Sequence, residues 1–80
     1  MSFMFEVLYK SPPDRGREEV ISTSVGQLGG RLTFREEPDR IGVDPVCLTF
    51  EFGDLAVAQE AASRLRGQGE HVEGPMDYGE

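Results

Sequence analysis

The chain has 80 residues, 38% of them apolar and 29% charged, and its 15 Asp and Glu against 8 Lys and Arg give a formal charge of −7. That balance excludes a general nucleic-acid binder, which needs a basic footprint for phosphate, and a polybasic membrane anchor. A single cysteine, Cys47, excludes an internal disulfide framework and a CxxC metal or redox pair. No apolar run approaches the roughly 18 residues of a membrane span. The start, Met1 to Phe5, lacks the basic region and apolar stretch of a signal peptide, so the expected setting is a reducing cytoplasm.

Residues 3–10 alternate, with Phe3, Phe5, Val7 and Tyr9 at odd positions, and predict a strand whose odd face is buried. Ser11-Pro12-Pro13-Asp14 then fits a helix start, with Ser11 as N-cap and Pro12 at the first helical position. Val20, Ile21, Val25 and Leu28 supply an apolar helix face, and Gly29-Gly30 a stop. Residues 18–25 also have strand propensity, but the capping pattern favours helix over a hairpin. Arg31 to Arg35 alternate as a strand with Leu32 and Phe34 inward, followed by a polar loop from Glu36 to Pro45. Residues 46–52 form the strongest strand, apolar at every even position. Asp54 caps a second helix with Leu55, Ala58, Ala62 and Leu65 on one face, and Gly67 ends it. Residues 71–76 make a last strand, an edge candidate because of Pro75, and 76–80 read as a frayed acidic tail.

The order strand, helix, strand, strand, helix, strand makes residues 1–80 one α+β domain. Two interleaved βαβ crossovers give a four-stranded antiparallel sheet with both helices on one face, the ferredoxin-like βαββαβ sandwich. Its central strands are 3–10 and 46–52, the two most apolar.

Such a sheet leaves one face open. On it the alternation places Met4, Glu6 and Leu8, then Cys47, Thr49 and Glu51, with Arg31, Thr33 and Arg35 on the neighbouring strand. Met4, Leu8, Cys47 and Thr49 read as an interface patch, self or foreign. Glu6, Glu51 and His71 are the polar groups able to face a ligand. No catalytic residue, cofactor or metal site is expected. Cys47 lacks a base, because His71 stands two strands away in this topology. His71-Val72-Glu73 offers only two ligands where a metal wants three or four. P-loop, G-x-S-x-G, H-E-x-x-H and G-x-G-x-x-G patterns do not occur.

Residues 46–79, through Leu48-Thr49-Phe50-Glu51-Phe52-Gly53-Asp54-Leu55, an alanine-rich helix and Val72-Glu73-Gly74-Pro75, resemble a half-module of the glyoxalase/bleomycin-resistance family. That resemblance implies a metal-holding paired module, in which Glu51 echoes a ligand; the chain shows no second module. Over its whole length the chain is more similar to the architecture of ACT-like regulatory domains and dimeric α/β-barrel proteins, with no functional motif carried over. The resulting expectation is a small non-enzymatic interaction or regulatory module. It self-associates as a homodimer or docks a protein partner through the open face, without nucleic acid or membrane. The alternative is a small-ligand or enzymatic site at a dimer interface. A third reading is an inhibitor- or immunity-type protein whose acidic surface meets a basic partner.

Overall fold

The computed structural model describes residues 2–77. Its elements are β1 (Phe3–Lys10), α1 (Arg15–Gln27), β2 (Arg31–Glu36), β3 (Pro45–Phe52), α2 (Leu55–Gly67) and β4 (His71–Asp77). The strands form one sheet in the order β2-β3-β1-β4, every neighbouring pair antiparallel. This is the ferredoxin-like α+β sandwich, with β1 and β3 central as expected. The stretch 18–25 is helical.

The core lies between the helices and one sheet face. Phe5, Val7 and Tyr9 of β1, and Val46, Leu48, Phe50 and Phe52 of β3, point into it. Ile21 and Val25 of α1 cover them, together with Ala58, Ala61, Ala62 and Leu65 of α2. The alanines let α2 lie close against β1 and β4. Val20 and Leu55, expected on the apolar helix faces, are exposed, and Ala61 completes the α2 face instead.

Helix α1 begins later than expected. Asp14, not Ser11, is the N-cap, its carboxylate accepting from the Arg17 N–H at 3.0 Å. The physical reason is local: a residue that precedes proline is driven out of the helical region, so Pro12, followed by Pro13, cannot be the first helical residue. Ser11 is buried instead, and its Oγ accepts from the Gly42 N–H at 2.6 Å, which ties the β2–β3 loop to the end of β1.

Two bulges set the faces of the edge strands. In β2 the register slips between Leu32 and Phe34, so Phe34 comes opposite Thr49 and Arg35 opposite Leu48. The extra residue, Thr33, donates from its Oγ1 to the Thr49 carbonyl at 3.3 Å. One inserted residue reverses every side chain after it. The expectation of Phe34 inward and Arg35 on the open face is therefore corrected: Phe34 faces out and Arg35 turns to the helix side. In β4, Gly74 and Pro75 together face Phe5, which brings Met76 opposite Met4. Gly74 has φ +107°, and a Cβ there would stand 3.1 Å from the Met4 carbonyl oxygen. Strand β4 continues to Asp77, so Met76 and Asp77 pair with β1 rather than belonging to a tail; residues 78–80 lie outside the described ones.

Candidate functional site

The sheet face turned away from the helices is a grid, read from β2 across to β4, of three rows that span all four strands and a further row, Pro45 and Lys10, that spans only β3 and β1. The first is Arg31, Glu51, Met4, Met76; the second Phe34, Thr49, Glu6, Glu73; the third Glu36, Cys47, Leu8, His71. Directly opposed residues in antiparallel strands share a face, so the registers fix this arrangement.

Met4, Leu8, Cys47 and Thr49, expected as an interface, all stand on this face. Leu8 and Cys47 are direct cross-strand partners. Met4 belongs two rows away, with Glu6 between it and Leu8, so the three apolar groups form two islands rather than one strip. The sequence reading missed the largest apolar group on the face. The bulge at Thr33 turns Phe34 out, leaving it 58% exposed beside Thr49.

The polar candidates do not converge. Glu51 accepts from Ser2 Oγ at 2.5 Å and is held by Arg31 at 2.8 Å. These donors keep its carboxyl below the ordinary glutamate range, Ser2 contributing most. His71 stands by Glu73, with 3.1 Å between Nε2 and Oε2. The rows of Glu51 and His71 are four residues apart along β1, about 13 Å at a strand's rise. Glu6, between them, has no ion-pair partner among the described residues. Nor does any group of three or more His, Cys, Asp or Glu among those residues suit a metal ion.

Cys47 is 9% exposed. Burial pushes its thiol pKa up, and the carboxylates of Glu6, Glu36 and Glu73 push the same way against a hydrogen bond from Thr49. The thiol therefore stays protonated and unreactive at neutral pH, and His71 lies across β1 from it.

The β2–β3 loop walls one end of the face. It folds beside the Leu8–Cys47 pair and encloses an open groove of about 650 Å³, lined by that pair with Pro38 and Pro45, by Glu6, Glu36, Glu37 and Asp39, and by the paired Arg40 and Asp44. The loop is organised: Asp44 accepts from the Arg40 backbone at 3.0 Å and from its guanidinium at 3.1 Å, while Ser11 holds Gly42.

The helix side has a different electrostatic character. Glu18 is clamped by Arg35, Glu70 by Arg17 and Glu60 by Arg64. Tyr9 donates its hydroxyl proton to Glu18 and accepts from the Asp14 N–H, while Arg17 lies 4.9 Å over its ring. That network joins β1, α1 and β2 and engages the Glu18 carboxylate on both oxygens. Comparison with protein-family models gives no match, and neither does comparison with curated proteins.

Proposed function

We propose that this chain is a non-enzymatic docking module that binds another protein on its open sheet face. The observation that supports this best is the bulge at Thr33, which turns a phenylalanine out of the core and onto the exposed face. A bulge that only ended a strand would have no use for an aromatic side chain in solvent, whereas aromatic anchors in a half-apolar patch are what protein interfaces use. The scattered polar groups and the protonated Cys47 thiol add to the same reading, because nucleophile, base and acid are not gathered in one place.

The test is affinity capture with quantified mass spectrometry, using the native chain and the variants Leu8→Glu and Phe34→Ser. Both positions are exposed or half-buried on the open face, so circular dichroism should show both variants folded. The expected result is a partner bound by the native chain and lost by both variants. A partner retained by both folded variants would place docking elsewhere.

A second reading rests on the groove beside Leu8 and Cys47, which is large enough for a small molecule with a few polar groups at its rim. It predicts a rise in melting temperature with one compound of a metabolite panel, abolished by Leu8→Glu.

A further inference from the structure

Resting on the docking reading, we infer that the occupant of the open face is a positively charged protein segment carrying apolar side chains, and not a second copy of this chain. The distribution of arginines carries the argument. On the helix side Arg17, Arg35 and Arg64 bind Glu70, Glu18 and Glu60. On the open face and its loop, Arg31 holds Glu51 and Arg40 holds Asp44, and the remaining side-chain cation among the described residues is Lys10, in the row beyond Leu8 on the same face. Glu6, Glu36 and Asp39 have no ion-pair partner among the described residues. Glu37 shares Arg35 with Glu18, and Glu73 has His71 beside it at 3.1 Å. The face thus has an excess of negative charge around its apolar groups.

That excess decides between occupants. A two-fold face-to-face dimer sets the same patch against itself. Glu6 stands in the middle row of a central strand, so the copies would bring their least compensated carboxylates together and out of water. Like charges juxtaposed in this way oppose association. A lysine or arginine removes the conflict. Its aliphatic stem can lie along Leu8, Cys47, Pro38 and Pro45 in the groove while its head reaches the carboxylates at the rim. An apolar side chain further along the same segment then covers Phe34. The partner's sign also sets its kinetics: association is steered by charge and weakens with salt.

The experiment uses the full chain, isotope-labelled, and two capped synthetic peptides. One has arginine and leucine at alternate positions separated by serines, so that both residue types face the sheet when extended. The other replaces arginine by glutamate. The arginine peptide should shift the amide resonances of Leu8, Glu36 and Cys47, and its binding should weaken about tenfold between about 50 and 300 mM salt. The glutamate peptide should not bind. The double substitution Glu6→Gln with Glu36→Gln, both at uncompensated surface carboxylates, should leave melting temperature unchanged and weaken binding at least about fivefold. Equal binding of both peptides, shifts confined to the helices, or a double variant that binds as well as the native chain would overturn the inference. So would a dimer in sedimentation whose contact shifts map to the open face. A captured protein lost in Leu8→Glu but carrying an acidic contact surface would defeat this inference alone and leave the docking reading standing.

Discussion

Arg35 on β2 clamps Glu18 on α1 through two contacts, Nε to Oε1 at 2.7 Å and Nη2 to Oε2 at 3.0 Å. Both side chains are largely shielded from solvent. A paired guanidinium and carboxylate in this geometry is among the stronger polar contacts a surface can make. Arg35 is the main reason the Glu18 carboxyl titrates below its ordinary value, with the Tyr9 hydroxyl assisting against the opposing effect of burial. A carboxyl depressed in the folded state contributes stability above its unfolded pKa, near 4.3, and loses it as pH falls through the folded value. Glu18→Gln should therefore lower the melting temperature at pH 7, and the gap to the native chain should close below about pH 4. A gap that stays constant from pH 7 to about pH 3 would show that the pair's charge contributes nothing.

Gly30 sits where the chain leaves α1 beneath the core. A Cβ there would lie 2.6 Å from Val25 Cγ1 and against the ring of Phe52, two buried residues. Gly30→Ala should destabilise by about 1–3 kcal/mol through overpacking, which thermal unfolding would register as a drop of about 4–8 °C per kcal/mol in a domain this size. Gly26, inside α1, supplies the contrast, since nothing lies within 4 Å of a Cβ added to it. Gly26→Ala should raise stability by about 0.5–1 kcal/mol. Equal effects at the two positions would remove packing as the explanation.

The elements themselves were legible because each carries a local signal. Period-two alternation marks β1 and β3, Asp54 caps α2, and Gly29-Gly30 closes α1. The faces of the edge strands were not. Thr33 is an ordinary strand residue, so nothing local announces the bulge, and the contact that goes with it, Arg35 on Glu18, joins residues 17 apart in sequence. The helix start was misplaced for the opposite reason, since Ser11 has good capping chemistry but precedes two prolines. Of the candidate site, membership of the open face was readable for β1 and β3, which have no bulge between them. Phe34, and the wall formed by the β2–β3 loop, depend on contacts between distant segments. Ser11 and Gly42 are 31 residues apart.

Ser11 gives the loop a specific anchor. Its buried Oγ is the acceptor for the Gly42 N–H, and Gly42 has φ +88°, a conformation that favours glycine. Ser11→Ala leaves that N–H without its partner and should cost about 1 kcal/mol. Amide hydrogen exchange at Gly42 should accelerate, while exchange in β1 and β3 follows only the global loss of stability. If the loop wall forms part of the docking site, peptide binding should weaken in this variant too. Unchanged exchange at Gly42 would mean the hydrogen bond does not hold the loop.

The bulge itself can be removed without turning Phe34 round. Deleting Thr33 leaves Leu32 opposite Phe50, Phe34 opposite Thr49 and Arg35 opposite Leu48, because these partners are already consecutive along β3. The faces should therefore be kept, with Arg35 still on Glu18 and Phe34 still on the open face. Proton–proton contacts give the direct readout: the Phe34 ring should neighbour Thr49 in both the native chain and the deletion variant. The deletion variant should remain folded and bind the arginine–leucine peptide as the native chain does. Phe34→Ser, which withdraws the aromatic anchor, should bind it more weakly despite keeping every carboxylate of the open face. A Phe34 ring found beside α1 in the deletion variant would show that the pairing along β3 does not set the faces of β2, and a Phe34→Ser variant with undiminished binding would show that charge alone holds the partner.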